Sequence, residues 1–77
     1  MEIIILTFGQ ITEITSKSEL KVDNVISTDD LNKKLVELFP ALSTVKYSIA
    51  VNKKVIQQNN ELKDGDTVAL LPPFSGG

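Results

Sequence analysis

The 77-residue chain contains no cysteine and no histidine, and all eight of its cations are lysine. The first two absences remove disulfides, thiolate nucleophiles, imidazole bases and every usual zinc site. They also remove the Ser–His and Cys–His pairs that activate a nucleophile. Asp, Glu, Lys, one Tyr and several hydroxyls remain, an inventory on which partners would have to supply most catalytic groups. The net charge is −2 and no basic patch carries interleaved aromatics, which argues against nucleic acid. The longest apolar run, Ile3 to Leu6, is far too short to span a bilayer. The opening MEIIILTF has no basic region and no small-residue cleavage site, so it does not read as a secretion signal. No membrane association and a cytoplasmic location are the expectations.

The length suits one domain, which buries about 60% of its unfolded surface. Apolar residues at 42% and charged residues at 23% are an ordinary globular balance. Glu2 to Phe8 is rich in β-branched residues and reads as a strand. Ile3, Ile5 and Thr7 share one of its faces; Ile4, Leu6 and Phe8 share the other. Both faces are largely apolar, whereas a strand buried on one side alternates apolar with polar. The second face is therefore covered either by this chain or by another protein.

After a turn at Ser16 to Ser18, Leu20 to Ile26 alternates and reads as a second strand, antiparallel to the first. The clear helix lies in STDDLNKKLVELFPAL. Ser27 and Asp30 resemble a capping box, and Asp29 and Asp30 put negative charge in the first turn. Leu31, Leu35, Leu38, Phe39 and Leu42 form one stripe, which packs on the sheet, and Pro40 ends the helix near Phe39. Val45 to Val51 reads as a strand, Asn52 and Lys53 as a tight turn, and Lys54 to Ile56 as a short strand. A loop over Gln57 to Glu61 and a turn at Asp64-Gly65-Asp66 precede a last strand, Thr67 to Leu71. Asp64 and Asp66 lack the further ligands of a calcium loop and read as turn residues, so no metal site is expected.

The order is β-β-α-β-β-β, an α+β layer pair with one main helix on one face of a mixed four- to five-stranded sheet. The first and last strands are the most apolar, which places them side by side at the centre, with parallel pairing possible. The helix covers Ile3, Ile5, Val68 and Leu70. The opposite face carries Phe8, Val55 and Leu71, either as ordinary core or as contacts for a partner, where an exposed apolar patch is expected.

LLPPFSGG closes the chain. Pro72 and Pro73 fix φ and lack an N–H, so the ladder cannot continue past them. They aim an extended tail away from the sheet and reduce the entropy lost when it is ordered, otherwise about 1–2 kcal/mol per residue. The four residues after Pro73 reach ~13 Å at about 3.3 Å each. Gly76 and Gly77 have no Cβ and make a thin thread open to conformations closed to other residues. Phe74 either folds back on the domain or anchors in a partner's pocket, the second being expected because aromatics are enriched there.

Three stretches carry a resemblance. FGQITEIT (Phe8 to Thr15), AVNKKVI (Ala50 to Ile56) and LKDGDTVALLPPFSGG (Leu62 to Gly77) resemble segments of the small, sulfur-carrying subunits of molybdopterin synthase. These are proteins of the β-grasp, or ubiquitin-like, fold. Thiamine-pathway sulfur carriers share the fold and the Gly-Gly end. They usually have Asn-Gly after the first strand and lack Pro-Pro; this chain has Phe8-Gly9-Gln10 and Pro72-Pro73. The synthase subunits often carry an Arg near the place of Thr12; this chain has none, so any ion pair made there by relatives is not expected here.

The resemblance implies a β-grasp domain over residues 1–71 and a tail over 72–77. It implies that an activating enzyme resembling ubiquitin-activating enzymes uses ATP to adenylate the Gly77 carboxylate. A sulfur donor protein then converts it to a thiocarboxylate, which gives sulfur to a pterin precursor in the large synthase subunit. A heterotetramer with that subunit, tail contacts through Phe74 and Ser75, and no cofactor bound by the chain itself are further implications. The alternatives are sulfur delivery to thiamine or another product, a protein modifier joined to lysines through Gly77, and an interaction module with an incidental Gly-Gly end.

Overall fold

A computed structural model describes residues 2–72. The elements are β1 (Glu2–Thr7), α1 (Gln10–Thr15), β2 (Glu19–Asp23), α2 (Thr28–Leu38), a 3-10 helix (Pro40–Thr44), β3 (Ser48–Val51), β4 (Lys54–Ile56) and β5 (Thr67–Leu71). The five strands form one mixed sheet in the order β2-β1-β5-β3-β4. The two most apolar strands, β1 and β5, are central and parallel, with Ile4 opposite Thr67 and Thr7 opposite Leu70. All other pairings are antiparallel. No helix among the described residues is long and apolar enough to cross a membrane.

One face of the sheet is the core. Ile3, Ile5, Val68 and Leu70 are all fully buried, as the alternation along both strands requires. Leu31 and Leu35 of α2 and Leu42 of the 3-10 helix close over them. Leu38 departs from the expected stripe and stands 55% exposed. The chain leaves helical geometry at Phe39 (φ −133°, ψ 82°), so Leu38 ends the helix on its outer side while Phe39 packs against the core.

The start of α2 is held by both halves of a modified capping box. The Ser27 hydroxyl accepts from the Asp30 N–H at 3.2 Å, and the Asp30 carboxylate accepts from the Ile26 N–H at 3.1 Å. The return bond falls one residue before the cap, where a capping box would place it on Ser27 itself. Ser27 meanwhile pairs with Glu61 in an isolated antiparallel bridge.

Two expected boundaries moved and one element was added. The second strand ends at Asp23, because Asn24 turns to φ 60° and Val25 swings inward to become buried. The strand expected from Val45 begins at Ser48, since Pro40 starts a 3-10 helix that carries the chain to Thr44. The third change is α1, a six-residue helix within a stretch that showed no regular pattern. It buries Ile11 and Thr15, packs Ile14 against the core and stops at Ser16 in the left-handed conformation (φ 64°). So short a helix is not stable alone. Hydroxyls tie it to β1: Thr7 Oγ1 lies 2.9 Å from Thr12 Oγ1, and Thr7 and Thr15 both donate to the Lys17 carbonyl.

The turns follow the local sequence. Asn52 (φ 48°) and Lys53 (φ 74°) form the two-residue loop joining β3 to β4. Gly65 adopts φ 86°, a conformation glycine takes without penalty, and donates to the Glu2 carbonyl at 2.8 Å. Asp64 accepts from the Glu2 N–H at 2.7 Å, so this turn pins the start of β1. No group of three or more metal-ligating side chains occurs among the described residues.

Candidate functional site: the root of the tail and the outer sheet face

Two features meet where β5 ends. The first is the root of the tail. Continuing the parallel register beyond Thr7 and Leu70 brings Phe8 beside Leu71 and Gly9 beside Pro72. Pro72 has no N–H to extend the ladder, and Gly9 turns away into α1 with φ 57° and ψ −133°. A Cβ placed on Gly9 would sit 3.4 Å from Pro72 Cγ, so the proline ring rests against the bare glycine. The chain therefore leaves the sheet from its centre, against a packed backbone. Pro73, Phe74, Ser75, Gly76 and Gly77 lie outside the described residues, and with them most of the tail expected over 72–77.

The second feature is the face of the sheet turned away from the helix. Leu6, Phe8, Ala50, Val55, Ala69 and Leu71 line a concave apolar surface of about 450 Å³, rimmed by Asn52, Lys53 and Thr67. Phe8 is 45% and Val55 59% exposed, while Leu71 is half-buried. The three residues singled out on the sequence are thus brought together in one hollow, next to the root of the tail. No element among the described residues covers them. They are not part of the buried core.

The floor of the hollow was not read from the sequence. It is the cross-strand pair Ala50 and Ala69, with Val55 opposite Ala50 on β4. Two small side chains between larger ones leave a depression, and the signal was present as two alanines in apolar strands. Their juxtaposition depends on register and cannot be seen in either strand alone.

The rim is held rigidly. The Asn52 N–H donates to the Thr67 carbonyl at 2.8 Å. The Asn52 amide donates to Asp66 Oδ1 at 3.0 Å, and its carbonyl accepts from the Thr67 N–H at 3.0 Å. These bonds lock the β3–β4 turn onto the start of β5. Asp66 is held below the ordinary carboxylate range, chiefly by the Lys63 N–H donating to it and next by the Asn52 amide. A depressed folded pKa gives stability that is present above the unfolded value and is lost as pH falls through the folded one. Acidification through and below the ordinary Asp range is therefore expected to loosen this turn. In Asp66→Asn that part of the acid sensitivity should disappear, as read by thermal melts between neutral and acidic pH. An unchanged acid slope in Asp66→Asn would refute it.

Comparison with known proteins agrees with this geometry. Residues 5–77 match the ThiS family. The chain is 34% identical to the molybdopterin synthase sulfur carrier subunit of Chlamydomonas reinhardtii, with all of both chains covered. It superposes with a TM-score of 0.75 on a chain of the Helicobacter pylori complex of molybdopterin-converting factor subunits 1 and 2, at 30% identity with all of both chains covered. The small archaeal modifier protein 1 of Methanosarcina acetivorans gives a TM-score of 0.86 at 25% identity, covering 99% of this chain and 96% of that one. The central parallel pair and the helix across one face are thus the features of a ubiquitin-like β-grasp domain, and the chain belongs to the ThiS family.

Proposed function

We propose that this protein is a sulfur carrier of molybdenum cofactor biosynthesis, the small subunit of a molybdopterin synthase. The observation that carries the reading is the full-length 34% identity to a molybdopterin synthase sulfur carrier subunit, extending over a C-terminus that ends Pro-Pro-Phe-Ser-Gly-Gly. Location in the cytoplasm is part of the proposal.

The chemistry follows from the terminal carboxylate. Its charge and resonance oppose nucleophilic attack. ATP, used by a separate activating enzyme, transfers AMP to Gly77 with loss of pyrophosphate and so supplies a leaving group. Hydrosulfide released by a donor protein displaces AMP and forms the carbon–sulfur bond, and loss of its proton leaves a thiocarboxylate. The large synthase subunit then takes that sulfur into the pterin precursor. This chain supplies no base and no metal in that sequence; it supplies a reachable carbon. With no cysteine anywhere, the terminal carbonyl is the one place on the chain that can hold transferable sulfur. Pro72, seated on Gly9, gives the tail a rigid origin, and Pro73 to Gly77 are the part that enters the partner. The hollow bounded by Phe8, Val55 and Leu71 is the docking face. The subunit complex in the Helicobacter pylori structure supports a large-subunit partner.

Intact mass spectrometry after incubation with ATP, a sulfur source and the cognate activating enzyme tests this. The expected result is a mass gain equal to sulfur replacing oxygen, localised to Gly77. Absence of that gain with an enzyme that charges another carrier would overturn it. The likeness to a small archaeal modifier protein favours a second reading, attachment of the activated Gly77 to lysines of other proteins. Isopeptide-linked Gly77 in cells, without thiocarboxylate, would select it.

A further inference from the structure

Lys53 occupies a backbone conformation that its residue type disfavours. It is the second central residue of the β3–β4 turn, at φ 74°, after Asn52 at φ 48°. Positive φ at both positions marks the type I′ hairpin, whose usual second residue is glycine because a Cβ crowds the following carbonyl there. Asn52 is accounted for by its bonds to Asp66 and Thr67. Lys53 has no such account. The ion pairs among the described residues belong to Lys21 with Glu2 and Lys34 with Asp23, and the ammonium of Lys53 has no partner there. Yet Lys53 stands on the rim of the apolar hollow as its single charged residue. The clamp on Asn52 prevents the turn from relaxing. Disfavoured backbone held in place by its surroundings concentrates at functional sites.

We propose that Lys53 is a specificity-determining contact of the docking face, and that the partner seats an apolar side chain in the hollow with a carboxylate set against the Lys53 ammonium. The inference rests on the sulfur-carrier reading and gives the partner's surface its chemistry: an apolar anchor flanked by Asp or Glu. The chain as a whole carries a net charge of −2, so a fixed cation beside the hollow marks one orientation of approach. Charges at an interface rim act mainly on encounter and register, and less on raw affinity.

The test measures binding of the full chain to its cognate large synthase subunit across a range of salt concentrations, for the wild type and for Lys53→Gly, Lys53→Glu and Lys53→Arg. Lys53→Gly relieves the turn, so its melting temperature should rise while its affinity falls about threefold and its salt dependence flattens. Opposite changes in stability and binding exclude misfolding as the cause. Lys53→Glu should bind on the order of tenfold more weakly at low salt and recover as salt screens the repulsion. Lys53→Arg should retain wild-type affinity and slope. Wild-type affinity and salt slope in Lys53→Gly, or no loss in Lys53→Glu, overturns the inference while leaving the sulfur-carrier reading intact. If the wild-type chain neither binds the large subunit nor becomes charged with sulfur, the sulfur-carrier reading falls and this inference with it.

Discussion

Deleting Gly77 is expected to abolish sulfur loading while the domain stays folded. The deletion leaves a glycine carboxylate at the end of the chain, because residue 76 is also glycine. The chemical group is therefore preserved and its position is not: the carboxyl carbon is withdrawn by about 3.3 Å, one extended residue. Misplacement of a reacting atom by ~1 Å can cost on the order of a hundredfold in rate. A loss of at least that size is expected in the rate of adenylate formation, measured as ATP–pyrophosphate exchange by the activating enzyme. Among the described residues the buried core reaches no further along the chain than Leu70, and Pro72 lies against Gly9. The melting temperature should match the full-length chain. Loading of the truncated chain at the wild-type rate would refute a mechanism centred on the Gly77 carbonyl.

The second large effect is a contrast between neighbours. Leu70→Asp should unfold the protein, whereas Leu71→Asp should leave it folded and unable to dock. Leu70 is fully buried opposite Ile49 and beside Thr7, and lies in the core cluster. Cutting such a leucine back to alanine costs about 2–5 kcal/mol, and an unpaired buried carboxylate costs more. A chain of 77 residues has roughly 4–12 kcal/mol to lose. Leu71 points the other way, half-buried at the edge of the hollow with Phe8. A carboxylate there stays in water in the free protein, so the stability change should be below about 1 kcal/mol. In the complex it would be buried without a partner at an apolar contact, costing about 2–4 kcal/mol, some thirtyfold to a thousandfold in affinity. Far-UV circular dichroism and binding to the large subunit read the two outcomes. If Leu71→Asp unfolds as Leu70→Asp does, the outer face belongs to the core and the docking assignment is wrong.

Much of the fold was legible because it is governed by local rules. Alternation along Glu2–Thr7 and Thr67–Leu71 assigns each side chain to a face before any partner strand is known. The Ser27 hydroxyl and Asp30 carboxylate both bond backbone N–H groups within four residues of each other, so the start of α2 could be placed. Asn52 and Gly65 tolerate positive φ, which marks their turns. The resemblance in the three quoted stretches extended this to the β-grasp class. By contrast, α1 buries only Ile11 and Thr15, with Ile14 against the core. Two turns are too few to show a helical period, and the helix exists because its hydroxyls meet Thr7 and Lys17. The Pro40–Thr44 segment shortened β3 for a similar reason: Leu42 was legible as a core residue, but nothing within the segment records that the chain reaches the core as a 3-10 helix running to Thr44.

Local sequence patterns settle which side chains share a face, where α2 begins and where the ladder must stop at Pro72. Tertiary structure decided the rest. It placed Ala50 opposite Ala69 to hollow the outer face, set Pro72 on Gly9 to root the tail, and brought Lys53 to the rim of the hollow at the end where β5 begins. The division has a physical cause. Periodicity, capping and turn chemistry act over a few residues, whereas register couples positions 19 and 63 residues apart along the chain, and a shift of one residue would turn each strand's faces over.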